Sequence, residues 1–176
     1  MALLKIARMG HPVLLQKAQP VEDIHSSAIR QLVSDMIETM LDARGAGLAA
    51  PQVHKSLRLF VYQVPEPRCA PGEAPIPPGV LINPELAPVG DAMMMCQEGC
   101  LSLPELRGSV PRHAEIAFRG FDLEGAPVSG IARGFHANVL QHEQDHLDGI
   151  LYPMRMTDFT TFGYASEFPV LRAGEG

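Results

Sequence analysis

Between residues 29 and 41 the apolar side chains Ile29, Leu32, Val33, Met36, Ile37, Met40 and Leu41 recur at steps of three and four, with Arg30, Ser34, Asp35 and Glu38 between them. Steps of that size keep one face of an α-helix apolar. The spacing predicts an amphipathic helix, with Ser26 or Ser27 as its N-cap and Gly45 as its stop. A stripe of Leu, Ile and Met is what burial alone requires, so this helix reads as core structure. From about residue 57 to residue 129 the pattern changes to short runs suited to strands, 57–64, 80–83, 115–123 and 128–131, separated by turns bearing Pro and Gly. The Pro-rich stretch 65–78 reads as a surface loop, because neither flank is long enough to fold alone, and Cys69 within it as an uninvolved thiol. Helical spacing returns over 134–147, where Phe135, Val139 and Leu140 mark an apolar face and Asp148-Gly149 a stop. Beyond Pro153 there is no sustained periodicity, and at most a short helix is expected. The sum is an α+β fold: small antiparallel sheets packed around the helix of residues 134–147, with an N-terminal amphipathic helix, in one domain spanning residues 1–176.

Composition narrows the classes of function. The chain has 176 residues, 46% hydrophobic and 19% charged, with a formal charge of -6. That balance is ordinary for a globular protein and argues against a general phosphate-backbone binder. Cys69, Cys96 and Cys100 are odd in number and no secretory signal precedes them, so a disulfide framework is not expected and a reducing cytoplasm fits. The N-terminus lacks the apolar run of a signal peptide, and no stretch is long and apolar enough to span a bilayer.

The chemistry concentrates in Gln141-His142-Glu143-Gln144-Asp145-His146, an HExxH pattern. On a helix the i, i+4 spacing stacks both imidazoles on one face, where they can grip one metal ion with the glutamate beside a water. Alone, the pattern is equally readable as two surface histidines on a charged helix. A catalytic site also needs a third protein ligand and an open position. Cys100, in Glu98-Gly99-Cys100-Leu101-Ser102, is the candidate, although a single buried cysteine is more often a small core hydrophobe. A third stretch, Gly45-Ala46-Gly47-Leu48-Ala49-Ala50-Pro51-Gln52, has small residues that bring backbone close to a ligand and ends in a side-chain amide.

Together these three stretches resemble the peptide deformylase family, whose pattern is a GxGxAAxQ loop, an EGCLS segment and a QHExDH helix in that order. Gly10-His11-Pro12-Val13-Leu14 and Leu103-Pro104-Glu105-Leu106-Arg107 also look like family sequence, so the likeness spans nearly the whole chain. The resemblance implies a metal-dependent hydrolase that removes the N-formyl group from the initiator methionine of newly made polypeptides and releases formate. It implies Cys100, His142 and His146 as ligands of one divalent ion, Fe²⁺ natively with Zn²⁺, Ni²⁺ or Co²⁺ able to replace it. It also implies Glu143 as general base and acid, and the Gln52 amide with the Leu101 backbone N–H as oxyanion donors. Substrate contacts are expected at Ala46, Gly47, Gly99 and Arg107, with the methionine side chain near Phe135, Asn138 and Val139. Asn138 stands where an arginine or aliphatic residue is more usual, and Ala46 is smaller than the common aliphatic. Glu98 and Asp145 are candidates to orient the histidines, or else to pair with a cation such as Arg107.

The partners implied are N-formylmethionyl nascent chains and, in some family members, the ribosome through a C-terminal helix. Here the tail is short, with Glu167 and Glu175, which weighs against that contact. Formyl-methionine initiation points to a bacterium or an organelle. Two other classes remain open on residues alone: an HExxH peptidase cutting ordinary peptide bonds, and a metal-binding module without catalysis.

Overall fold

The computed structural model describes residues 2–69, 72 and 74–168. The first helix, α1 (Ser27–Asp42), begins where expected: the Ser26 hydroxyl accepts from the Ile29 backbone N–H at 3.4 Å, satisfying one of the donors a helix start leaves open. Its end differs from the expected Gly45 stop. Ala43 caps the helix, and Arg44, at φ 54, makes the left-handed turn. Gly45 serves a close approach instead, since a Cβ there would stand 3.0 Å from the Leu101 side chain.

Among the described residues eight strands follow: β1 (Gly47–Ala49), β2 (Leu59–Val64), β3 (Ile76–Pro88), β4 (Met93–Cys100), β5 (Leu103–His113), β6 (Glu115–Phe121), β7 (Pro127–Arg133) and β8 (Gly163–Tyr164). They form a five-stranded antiparallel sheet ordered β1-β2-β3-β6-β7 and a three-stranded antiparallel sheet ordered β4-β5-β8. The second helix, α2 (Gly134–Leu147), has the bounds its periodicity gives, with Asp148 as C-cap and Gly149 at φ 75.

β2 explains why the larger sheet sits between the helices. Strand side chains alternate faces: Phe60 and Tyr62 pack with Ala137, Leu140 and Leu147 of α2, while Leu59 and Val61 pack with Val33, Met36 and Met40 of α1. Both faces are buried, so the strand reads as an unbroken apolar run. A third cluster, including Leu14, Cys100, Leu103, Val110 and Tyr152, lies under the β4–β5 hairpin. α2 therefore touches both sheets, as the sequence predicts.

The short-run reading underestimates the strands. Residues 80–83 belong to the thirteen-residue β3. The β4–β5 hairpin fell outside the apolar runs because its inward face carries charge: Glu98 and Arg112 are each 4% exposed, while Met93 and Met95 point outward at 52% and 62%. The loop 45–52 is also more ordered than a tight turn, being β1 followed by a 3₁₀ turn over Ala50–Val53. The tail beyond residue 168 lies outside the described residues, and with it the reading of Glu175.

Candidate metal centre and active site

Three chain segments converge. α2 carries His142, Glu143 and His146, all buried. The β4–β5 hairpin ends at Cys100, where the register shifts between Glu98 and Cys100 and Cys100 pairs with Leu103. Such a bulge re-aims a side chain, here the thiol toward the helix. The third segment is Gly47 to Val53. The N-terminal segment ties two of them together, with the Ala7 N–H donating to the Gln52 carbonyl at 2.7 Å and the Met9 N–H to the Ser102 carbonyl at 2.8 Å.

Cys100 Sγ stands 3.2 Å from His146 Nε2, and the ligand atoms of Cys100, His142 and His146 lie within 4.8 Å of one another. Ligands bound tetrahedrally at about 2.3 Å (sulfur) and about 2.1 Å (nitrogen) would sit roughly 3.6 Å apart. The set therefore fits one ion. Its electrostatics agree. Burial pushes the Cys100 thiol up, but the neighbouring His146 and His142 outweigh burial and hold it well below the ordinary thiol range. Cys96 is the contrast: burial and the Glu98 charge push it up to about 11, so it stays a thiol.

His142 Nδ1 is 2.7 Å from Glu98 Oε2. Burial would raise the Glu98 carboxyl, yet hydrogen bonds from His142 and Arg112 prevail and lower it to about 2. A carboxylate only accepts, so the Nδ1 carries the proton and Nε2 is left to bind metal. Arg112 then bridges outward. It donates from Nε to Glu98 Oε1 at 2.7 Å, from Nη2 to Glu98 Oε2 at 3.0 Å and from Nη1 to Asp145 Oδ2 at 2.6 Å, while Arg155 Nη2 reaches Asp145 Oδ1 at 2.8 Å. Of the two expected orienting carboxylates, Glu98 meets a histidine directly and Asp145 acts one step back, through Arg112. The cation paired with them is Arg112, not Arg107. Arg107 donates to the Leu106 carbonyl and its guanidinium lies over Gly99, where any Cβ would collide with it. Tyr152, also unforeseen, stacks on the His142 ring at 6.1 Å between centroids.

Glu143 sits against the backbone of Gly47, and a Cβ at Gly47 would strike its carboxylate. Burial pushes this carboxyl up to about 7; the charges of Cys100 and Glu98 add to the rise while His142 and His146 oppose it. Its Oε2 is buried with no protein partner among the described residues. Gln52 is 1% exposed. Its Oε1 accepts from the Ala49 N–H at 2.8 Å, which fixes the amide so that Nε2 points at Ser102 Oγ, 3.1 Å away, and Cys100 Sγ, 3.4 Å away.

The site opens into a cavity of about 680 Å³, within the usual size range for small-ligand pockets. Ala46, Gly47, Gln52, Gly99, Cys100, Leu101, Arg107, Phe135, Asn138, Val139, His142 and Glu143 all line it. His146 lies deeper. Arg44, Gln63, Arg68 and Gln97 line it as well, and no motif marked them. No helix among the described residues is long and apolar enough to cross a membrane.

This geometry has close counterparts. Peptide deformylase 2 of Ralstonia nicotianae is 47% identical over 169 residues, covering 96% of this chain and 96% of that protein. A crystal structure of class I type b peptide deformylase from Acinetobacter baumannii, bound to Met-Ala-Ser, matches at TM-score 0.80 and 37% identity over 88% of this chain and 98% of that one. The Ehrlichia chaffeensis peptide deformylase in complex with actinonin matches at TM-score 0.83 and 34% identity, covering 92% of each. The polypeptide deformylase family model aligns with residues 3–161, a span that takes in the Gly47–Gln52 segment, the Cys100 hairpin and the His142–His146 helix, and the chain belongs to that family.

Proposed function

We infer that this chain is a metal-dependent amide hydrolase that removes the N-formyl group from the N-terminal methionine of newly synthesised proteins, releasing formate. The observation that carries the reading is the meeting of Cys100, His142 and His146 beside a buried carboxyl oxygen of Glu143 that has no partner among the described residues. A divalent ion held by those three ligands would supply Lewis acidity: stabilisation of charge on the formyl oxygen and a lowered pKa for the attacking water. Glu143, buried between the two histidines in sequence, takes the proton of that water and returns it to the departing methionine nitrogen. Gln52, locked by Ala49, offers its Nε2 where negative charge develops, with the Leu101 backbone N–H as the second donor. The peptide lies strand-like against Ala46, Gly47 and Gly99, with Arg107 over its backbone. The methionine side chain enters between Phe135, Asn138 and Val139.

Ferrous iron is the native ion in this reading. A thiolate with two imidazoles also accepts Zn²⁺, Ni²⁺ or Co²⁺, so geometry alone does not select among them. Thiolate exposure to oxygen follows: iron-loaded protein loses activity faster under air than under argon, and equal lifetimes would count against iron. The place of action is the cytoplasm, on chains leaving the ribosome.

The deciding assay supplies formyl-Met-Ala-Ser and acetyl-Met-Ala-Ser to the metal-loaded protein. Formate release from the first, with its internal bonds spared and the second untouched, is expected. Cleavage between Met and Ala would instead make this a peptidase.

A further inference from the structure

The arginines fall into two groups. Arg30, Arg58, Arg112, Arg119, Arg133 and Arg155 each meet a carboxylate. Arg44, Arg68 and Arg107 meet none among the described residues; all three are exposed, and all three line the same cavity. Arg8, the remaining described arginine without a carboxylate, is not on its wall. In a chain with 20 Asp and Glu against 14 Lys and Arg, leaving three guanidiniums unpaired at one mouth runs against the composition. Two of the three carboxylates lining the cavity, Glu98 and Glu143, are buried and committed to the metal site, and Glu105 alone is exposed. The outward charge of the rim is therefore positive on a molecule whose net charge is negative.

Arg107 already has a place against the peptide backbone. Arg44 and Arg68 have none. Arg68 Cζ stands 4.7 Å from the centroid of the Phe135 ring, a contact that holds the guanidinium at the mouth without using its N–H donors. Arg44 follows Ala43, the C-cap of α1, and precedes Gly45, Ala46 and Gly47, so it borders the segment along which the peptide would lie.

We propose that Arg44 and Arg68 form an anion-reading rim, which favours substrates carrying Asp or Glu in the first few positions after the formyl-methionine. This rests on the deformylase reading above. A strand-like peptide spends its backbone donors and acceptors on the wall and turns alternate side chains outward. At about 3.3 Å per residue, the next two or three residues stay within the roughly 10 Å over which charges act at 0.1 M salt. Exposed pairs are weak and screened, so the rim biases the choice and does not exclude neutral chains. Because the contact is equal in the bound and reacting states, it belongs in KM.

The test measures formate release from formyl-Met-Ala-Glu-Glu, formyl-Met-Ala-Ser-Ser and formyl-Met-Ala-Lys-Lys. All three carry C-terminal amides so that no terminal carboxylate substitutes for the side chains. At low salt the acidic peptide should exceed the lysine peptide in kcat/KM by about five-fold, with the difference in KM, and 0.5 M salt should shrink it. The double variant Arg44→Asn, Arg68→Gln should bring the ratio close to one, asparagine being chosen because residue 44 is left-handed. Arg68→Glu should move the ratio toward the lysine peptide. Comparing peptides on one preparation cancels any loss of folded protein. Equal rates or a lysine preference in the unmodified protein, or an acidic preference that survives the double variant, overturns the rim. If no peptide releases formate, the deformylase reading itself falls.

Discussion

A single atom of Glu143 shows how local chemistry sets the site. Its Oε2 is buried without a protein donor among the described residues, a standing free-energy cost that proton transfer would explain. If it moves the proton, Glu143→Gln keeps shape and volume while removing the base. The expected result is a fall in kcat of about 10²–10⁴, with metal content, read by elemental analysis, retained. Loss of metal together with activity would make the residue structural. If the Gln52 amide is the proposed oxyanion donor, Gln52→Ala should lower kcat by about 10²–10³, with KM for the formyl peptide moving far less. Gly47→Ala is the steric counterpart. The added methyl occupies the space of the Glu143 carboxylate, so activity should drop although no catalytic group has changed, and a variant with full activity would show that Glu143 does not need its place against residue 47.

At the level of elements, the β4–β5 hairpin holds both the least legible and the most consequential part of the site. Helix 134–147 was readable because its buried face keeps a 3.6-residue period, and β2 because both of its faces are apolar. The hairpin defeats that reading: period two places Cys96, Glu98 and Cys100 inward on one strand and Gly108, Val110 and Arg112 inward on the other, so the apolar signal is broken by an ion pair. Glu98 and Cys100 are legible through the motif they share. Arg112 has no motif, and the available clue was its place in the inward register of β5. Its guanidinium joins Glu98 to Asp145 and thereby a strand to α2. Removing one partner of a buried pair strands the other charge, at about 3–5 kcal/mol. Arg112→Met should therefore lower the melting temperature markedly and, by freeing the carboxylate that orients His142, weaken metal binding about 10–100-fold. Arg119→Ala is the control. It breaks the Arg119–Glu85 pair, whose side chains are 71% and 65% exposed, and such pairs contribute about 0–1 kcal/mol. Comparable losses in the two variants would show that the network carries no special weight.

Across the whole molecule, the candidate metal ligands join units that lie apart along the chain. Cys100 comes from the small sheet and His142 and His146 from the helix that packs on the large one, 42 and 46 residues further on (142 − 100; 146 − 100). An ion bound to all three would hold sheet to helix in the native state, while an unfolded chain has no preformed site to offer it. Binding then stabilises by mass action, about 4.1 kcal/mol when free metal is 1,000 times its Kd. For a chain of this length that corresponds to a rise in Tm of roughly 8–16 °C, at about 2–4 °C per kcal/mol. Stripping the ion with a chelator should lower Tm by that amount, and adding Zn²⁺ or Ni²⁺ should restore it. Cys100→Ala should lose most of the rise, since it removes the one ligand contributed by the small sheet. An apo protein that melts at the same temperature as the loaded one would mean that the small sheet is already locked to α2 by the Arg112–Asp145 pair, and that the ion contributes chemistry without holding the fold.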